Sequence, residues 1–307
     1  MFALPDDHGR RMDRVRLALD GLSLGDSFGE QFIFRQSWAT ALQSRQLPPA
    51  PWKYTDDTEM ALAIAEVFGQ RGTIDQDQLA ATFARRHASN PYRGYGSGAH
   101  EILSAIGRGD SWRDASRDVF HGQGSLGNGG AMRAAPVGAY FADEPYESIV
   151  DQARLSAEIT HAHPEGIAGA VAVAIAAAWA ARRNTGSPVP AELFSTVLQH
   201  TPNGDTRTGI ERAAKVPLDT WQHHAAEQLG NGARITAADT VPFCLWAVAR
   251  HLDDFTEALW TTVHVGGDID TNCAIVGGIV SLAVGREGLP SAWLPFREPL
   301  SWNSGRD

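Results

Sequence analysis

Two short acidic segments of this chain carry the residue types of a divalent-cation site. Thr55-Asp56-Asp57-Thr58 stands immediately before an apolar helical stretch that begins near Met60, and Gly266-Gly267-Asp268-Ile269-Asp270-Thr271 stands before another through Ala274, Ile275 and Ile279. Alone, either segment is explained by capping, because Asp and Thr satisfy the free N–H groups of a helix start and complement its dipole. Together they offer the carboxylates Asp56, Asp57, Asp268 and Asp270 and the hydroxyls Thr55 and Thr271. That is a set of hard oxygen donors, suited to Mg²⁺ or Mn²⁺, whereas zinc asks for His or Cys. Carboxylates brought so close repel one another unless cations neutralise them. The positive ends of two helix dipoles oppose a cation, and the carboxylate charge has to outweigh them.

Three further segments could serve such a site. Gly122 to Gly130 is glycine-rich and leads into Ala131-Met132-Arg133. Its G-x-G-x-x-G match does not make a dinucleotide fold, since no strand precedes it, but a loop of this kind can turn backbone N–H groups toward a phosphate, or be an ordinary turn. Thr160-His161-Ala162-His163-Pro164 places two imidazoles ahead of the most apolar stretch, without the third ligand a zinc site needs, so ligand hydrogen bonding or capping is expected of them. Gly21, Gly25 and Gly29 would let helices approach closely, Asp26 would anchor a loop, and Glu30 is the acid between Asp26 and Asp56 that could face a nearby site.

Positioning these residues falls to helices. Helical periodicity runs over Val15 to Leu24, Glu59 to Phe68, Gln78 to His87, Ala99 to Ile106, Ile149 to Ile159, Gly166 to Ala181, Ala191 to Leu198, Thr240 to Leu252 and Cys273 to Val284, while alternating β-branched strands are scarce. Gly69, Gly107 and Gly285 read as helix stops, and Pro164 and Pro190 as helix starts. No long linker or solenoid-length repeat divides the 307 residues; the weakest point is the polar stretch Arg183 to Pro190, so one all-α domain spanning residues 1–307 is expected.

Composition narrows the function class. Lys+Arg 26 against Asp+Glu 36 leaves a net charge of −10, which disfavours general nucleic-acid binding and an anionic membrane surface. The apolar run Gly166 to Ala181 is short for a membrane span and ends in Arg182-Arg183, so it reads as a core helix. Cys244 and Cys273 are the only cysteines, too few for a disulfide framework, and the N-terminus does not read as a secretory signal. A cytoplasmic monomer is expected.

In order, GLSLGDSFGE, YTDDTEMALAIAE, GQGSLGNGGAMRAAPVG, ITHAHPEGIAGA and VGGDIDTNCAIVGGIV make a set that resembles the ADP-ribosylglycohydrolase family, from about Arg14 to Gly285. The resemblance implies an all-helical orthogonal bundle holding two Mg²⁺ or Mn²⁺ ions. It implies Thr55, Asp56, Asp57, Asp268, Asp270 and Thr271 as ligands, with Asp56, Asp57 and Asp270 serving the chemistry. It further implies Gly124, Ser125, Gly127, Asn128 and Gly129 along the ADP-ribose phosphates, His161 nearby, and Phe120 against the ligand. Some members place a mobile-loop glutamate several residues beyond the GDxxG glycine; here Glu30 follows Gly29 directly. Glu30 is the candidate acid or base. The expected substrate is an ADP-ribosylated protein or a small ADP-ribosyl conjugate. Arginine-linked ADP-ribose is favoured, because a guanidinium leaves with little help from a dedicated acid. Serine-linked or nucleoside-type conjugates are the enzymatic alternative, and ADP-ribose binding without turnover the other.

Overall fold

Helices follow one another through the computed structural model, which describes residues 4–33, 42–183 and 189–302. They are α1 (His8–Glu30), α2 (Asp56–Arg71), α3 (Gln76–Ser89), α4 (Ser97–Gly107), α5 (Trp112–Gly122), α6 (Gly129–Met132), α7 (Ala135–Tyr140) and α8 (Tyr146–Glu158). The second half contains α9 (Pro164–Arg182), α10 (Pro190–His200), α11 (Asp205–Ala213), α12 (Gln222–Leu229), α13 (Ala237–Arg250), α14 (Phe255–Val263) and α15 (Ile269–Val284). Among the described residues extended pairing is confined to two isolated bridges, Trp52 with Arg297 and Gly127 with Thr236. The all-α expectation holds.

The closest helix pair sets the geometry of the rest. Gly21, Gly25 and Gly29 recur every fourth residue on one face of α1, and α15 lies against them backbone to backbone. A Cβ on Gly25 would sit 2.0 Å from the Cys273 carbonyl oxygen, and one on Gly29 would sit 2.8 Å from the Asp270 Cα. Alanine at either place would force the helices apart. The close approach brings the last turn of α1 to the first turn of α15. Across the core, α9 is buried along nearly its whole length. It is the one described helix long and apolar enough to cross a membrane, yet 78% of its apolar window is buried inside the protein. A single buried apolar cluster reaches from Met12 to Trp293.

The C-terminal residues brace the approach to α2. The Trp52 N–H donates to the Phe296 carbonyl at 2.6 Å, and the Glu298 N–H donates back to Trp52 at 2.9 Å. Phe28 packs on Trp293 at 4.7 Å and edge-on to Trp260 at 5.1 Å, so this strap is anchored on α1 and α14 together.

Several boundaries differ from the sequence reading. Each acidic segment runs into the start of a helix: Asp56 and Asp57 occupy the first turn of α2 behind Thr55 as N-cap, and Asp270 the first turn of α15 behind Asp268 as N-cap. The carboxylates themselves stabilise these starts, so each helix begins before the apolar run that announces it. Gly69 does not stop α2; the helix continues to Arg71 and ends at Gly72, which takes the left-handed conformation with φ 67°. Gly107 closes α4 and Gly285 caps α15, while Pro164 and Pro190 open α9 and α10 as expected. The stretch suggested as the weakest boundary falls largely outside the described residues.

Candidate functional site

The carboxylates meet where α1, α2 and α15 converge. One oxygen each from Asp26, Asp57 and Asp270 lie within 4.8 Å of one another. Asp26 is fully buried and works as an anchor: it accepts the Thr55 N–H at 3.0 Å, the Thr55 hydroxyl at 2.9 Å, the Thr58 N–H at 3.1 Å and the Thr58 hydroxyl. It therefore satisfies donors at the start of α2 from the neighbouring helix, and fixes where Asp56 and Asp57 stand. The Asp56 N–H is tied at 2.7 Å to the carbonyl of Arg93, whose guanidinium lies 4.1 Å over the Tyr54 ring and pairs with Glu298. At α15, glycine is required before the acids: Gly267 has φ 78°, and a Cβ there would lie 2.0 Å from the Asn231 carbonyl oxygen. The Asp268 carboxylate accepts from the Asn128 amide at 2.6 Å.

This arrangement holds more negative charge than buried carboxylates can sustain alone. Burial, then the charge of Asp26, pushes Asp56 up to about 8. Asp57 and Asp270 are held well above the usual carboxylate range, first by burial and then by neighbouring Asp charges. Burial raises Asp26 to about 6 against four opposing hydrogen bonds, and raises Asp268 as well. Asp57 Oδ1 and Asp270 Oδ1 are buried and have no hydrogen-bond partner among the described residues. The Thr55 hydroxyl lies 2.9 Å from Asp26 and 3.0 Å from Asp57, but has one proton to give. Unpartnered oxygens, crowded acids and a donor set of oxygens alone fit hard divalent cations.

Beside the cluster opens a cavity of about 620 Å³, the size of a small-molecule site. Its lining includes Asp56, Asp57, Asp268, Asp270 and Thr271, and also Phe120, Gly124, Ser125, Gly127, Asn128, Gly129 and His161. The sequence-proposed residues outside the lining are Thr55, which is turned to Asp26 and Asp57, and Glu30, the half-buried last residue of α1. Burial first, then Asp26, pushes the Glu30 carboxyl up to about 7.

The glycine-rich loop uses its glycines for space as much as for φ. Gly122 and Gly124 have positive φ, whereas Gly127 and Gly129 do not. A Cβ on Gly129 would stand 2.8 Å from the His161 ring, and one on Gly127 would stand 3.2 Å from His161 Nε2, so the imidazole packs directly beneath the loop. The loop is held by Gly127 N–H to Ser125 Oγ at 3.1 Å and by Asn128 N–H to the Ile235 carbonyl at 3.3 Å. The helix it enters, α6, is a single turn, too short for a strong dipole. Phe120 is 53% exposed at the cavity edge with a left-handed backbone, φ 55°. His163 keeps its backbone N–H against Gly124 of the loop, 2.9 Å from where a Cβ there would stand, while its ring caps α9 by accepting the Glu165 N–H at 3.1 Å.

Sequence reading missed part of this wall. Gly94, Gly96 to Ala99, Arg133, Thr160, Arg234 and Ile235 also line the cavity. Arg133, the residue that ends the Gly-rich motif, is wholly buried and donates to Thr160 Oγ1. Its place directly behind the loop was the available signal.

An all-helical bundle with a carboxylate cluster facing a glycine-rich loop defines the class. The chain belongs to the ADP-ribosylglycohydrolase family, which it matches over residues 7–300, and it is a hydrolase that removes ADP-ribose. It is similar to ADP-ribosylhydrolase ARH3 of Homo sapiens, 28% identical over 330 residues, covering 92% of this chain and 89% of that protein. It is also similar to a protein of Archaeoglobus fulgidus, 29% identical over 294 residues, covering 92% of this chain and 90% of the other. Among solved structures, an ADP-ribosylglycohydrolase-related protein complex aligns with a TM-score of 0.69 at 26% identity, covering 94% of each chain.

Proposed function

We propose that this protein hydrolyses the glycosidic bond joining ADP-ribose to a side-chain oxygen, with two Mg²⁺ or Mn²⁺ ions held by Thr55, Asp56, Asp57, Asp268, Asp270 and Thr271. The observation that carries the reading is the pair of unpartnered buried oxygens, Asp57 Oδ1 and Asp270 Oδ1, beside a cavity lined by the glycine-rich loop. When bound, the cations supply positive charge that orients ribose hydroxyls and a water and polarises that water.

The rest falls to the chain itself. Gly124, Ser125, Gly127, Asn128 and Gly129 bring backbone close to the diphosphate, and His161 adds a polar contact beneath them. Phe120 offers an apolar ring at the cavity edge. Asn128 holds Asp268 from the loop side, so a hydrogen bond ties the loop to the cluster. Asp56, Asp57 and Asp270 stabilise the positive charge that develops at the ribose carbon as the bond breaks.

Glu30 decides the leaving group. The arginine linkage expected from its displaced position keeps one support, since Glu30 lies outside the cavity lining. The oxygen linkage is favoured by a different property: a carboxyl raised to about 7 is roughly half protonated at neutral pH, the range that suits a general acid, and an alkoxide such as serine must be protonated to leave. Parallel mass-spectrometric assays of serine- and arginine-linked ADP-ribosyl peptides test this, using wild type and Glu30→Gln. The expected result is serine cleavage that falls at least a hundredfold in Glu30→Gln, the low end of what general acid catalysis contributes. Efficient arginine cleavage untouched by that substitution would restore the arginine reading.

A further inference from the structure

Beneath the glycine-rich loop runs a chain of hydrogen bonds whose direction is set at one end. Arg133 is wholly buried, and one of its terminal nitrogens donates to the Ser156 carbonyl at 3.0 Å and to Thr160 Oγ1 at 2.8 Å. A guanidinium carries donors and no acceptor, so Thr160 Oγ1 must accept from it. The Thr160 side chain is itself buried, and among the described residues its other partner is His161 Nδ1 at 2.8 Å. The hydroxyl proton therefore goes to Nδ1, since a buried hydroxyl donor left without an acceptor is costly. Nδ1 is then the accepting nitrogen of the ring, and in a neutral imidazole the proton must reside on Nε2.

We infer that Arg133 and Thr160 are positioning residues that lock His161 in the tautomer carrying its proton on Nε2, so that the ring presents a hydrogen-bond donor to the ligand cavity. The surroundings of Nε2 agree. It lies beneath Gly127 and Gly129, within about one carbon's reach of both, and among the described residues it has no hydrogen-bond partner in the protein. His161 lines the cavity. Burial, reinforced by the Arg133 charge, pushes its pKa down to about 3, so the ring is neutral and its tautomer is a defined property. The same arrangement explains why a short, buried Thr precedes the histidine. Valine would fill the space without relaying the polarity, and a second acceptor there would reverse it.

The ligand atom that receives this donor, an oxygen of the ADP-ribosyl diphosphate or ribose, follows from the proposed function, whereas the tautomer belongs to the free protein. Nitrogen-15 correlation spectra of the full chain with labelled histidine read it directly, with the His161 signals assigned by their loss in His161→Gln. The expected spectrum shows Nδ1 unprotonated and Nε2 protonated at neutral pH. Thr160→Val is expected to mix the tautomers or move the proton to Nδ1, and to weaken ADP-ribose binding by calorimetry about tenfold, the worth of one hydrogen bond. Thr160→Ser is expected to restore both. A wild-type spectrum with the proton on Nδ1 overturns the inference, and so does an unchanged tautomer in a folded Thr160→Val. Should the valine variant fail to fold, the wild-type and serine spectra decide alone. A tautomer that shifts as expected while ADP-ribose fails to bind even wild type upholds the relay and counts against the functional reading.

Discussion

Asp26 is the residue whose removal tests most sharply how the cluster is built. Its carboxylate accepts two backbone N–H groups, from Thr55 and Thr58, and two hydroxyls from the same residues. In Asp26→Ala the hydroxyls can turn away, that of Thr55 toward Asp57 at 3.0 Å, but the two N–H groups at the start of α2 are orphaned in a buried place. Each such donor costs about 1–3 kcal/mol, giving a loss of roughly 2–6 kcal/mol, a large share of the 5–15 kcal/mol typical of a folded protein. Asp26→Asn keeps the shape and one accepting oxygen, which can hold Thr55, while the Thr58 hydroxyl can accept from the new amide. One N–H remains unpaired, so the loss is about 1–3 kcal/mol less whatever is regained by removing a buried charge. Urea unfolding of both variants measures this, and Mn²⁺ calorimetry reads whether Asp56 and Asp57 have moved. The order expected is wild type, Asn, Ala in stability, with metal affinity falling in the same order. An alanine variant within 1 kcal/mol of wild type and with undiminished Mn²⁺ binding would refute the anchoring role.

Three other outcomes follow from the same geometry. In metal-free protein, Asp26 and Asp56 bind protons more tightly folded than at the unfolded value of 3.8, up to about 6 and 8, so the native state holds more protons than the unfolded one across that window. Thermal stability in EDTA should therefore fall as pH rises from about 4 to 8, and Mg²⁺ or Mn²⁺ should reverse the fall; a stability that rises with pH in EDTA argues against the crowded-acid account. Asp270→Asn should cut Mn²⁺ affinity at least tenfold and abolish turnover while circular dichroism stays helical, and retained turnover would remove Asp270 from the site. Gly129→Val places a side chain 2.8 Å from the His161 ring, so ADP-ribose affinity should drop at least tenfold with metal affinity little changed; unchanged ADP-ribose binding would make the loop an ordinary turn.

What could be read from the sequence was chemistry carried by residue type. The acids of both segments, the glycine-rich loop and His161 are recognisable because few side chains can do what they do, and the structure gathers them around one cavity. Helices such as α9 and α15 were visible for a related reason, since long apolar runs leave little choice of fold. The short helices α11, α12 and α14 were not, because eight or nine residues complete only two turns and show too little period. The helix starts were misplaced by the acids themselves, whose polarity hides the first turn that their charge stabilises.

The support of the site was less legible for a deeper reason. Asp26 reads as an anchor in the sequence, but what it anchors, the start of α2 at Thr55 and Thr58, shows only when the α1 glycines bring the helices together. Arg133 stands in the sequence only as a residue that follows the glycine-rich loop, and the structure buries it beneath that loop. Both are ionisable groups that folding has taken out of water at considerable cost. A group kept there in spite of that cost must hold something that an apolar residue could not: Asp26 holds two backbone donors in place, and Arg133 gives a direction to the hydrogen bonds leading to His161. The carboxylate cluster and the ligand loop thus each rest on a buried charge, Asp26 in the one and Arg133 behind the other, whose hydrogen bonds set where the neighbouring residues stand.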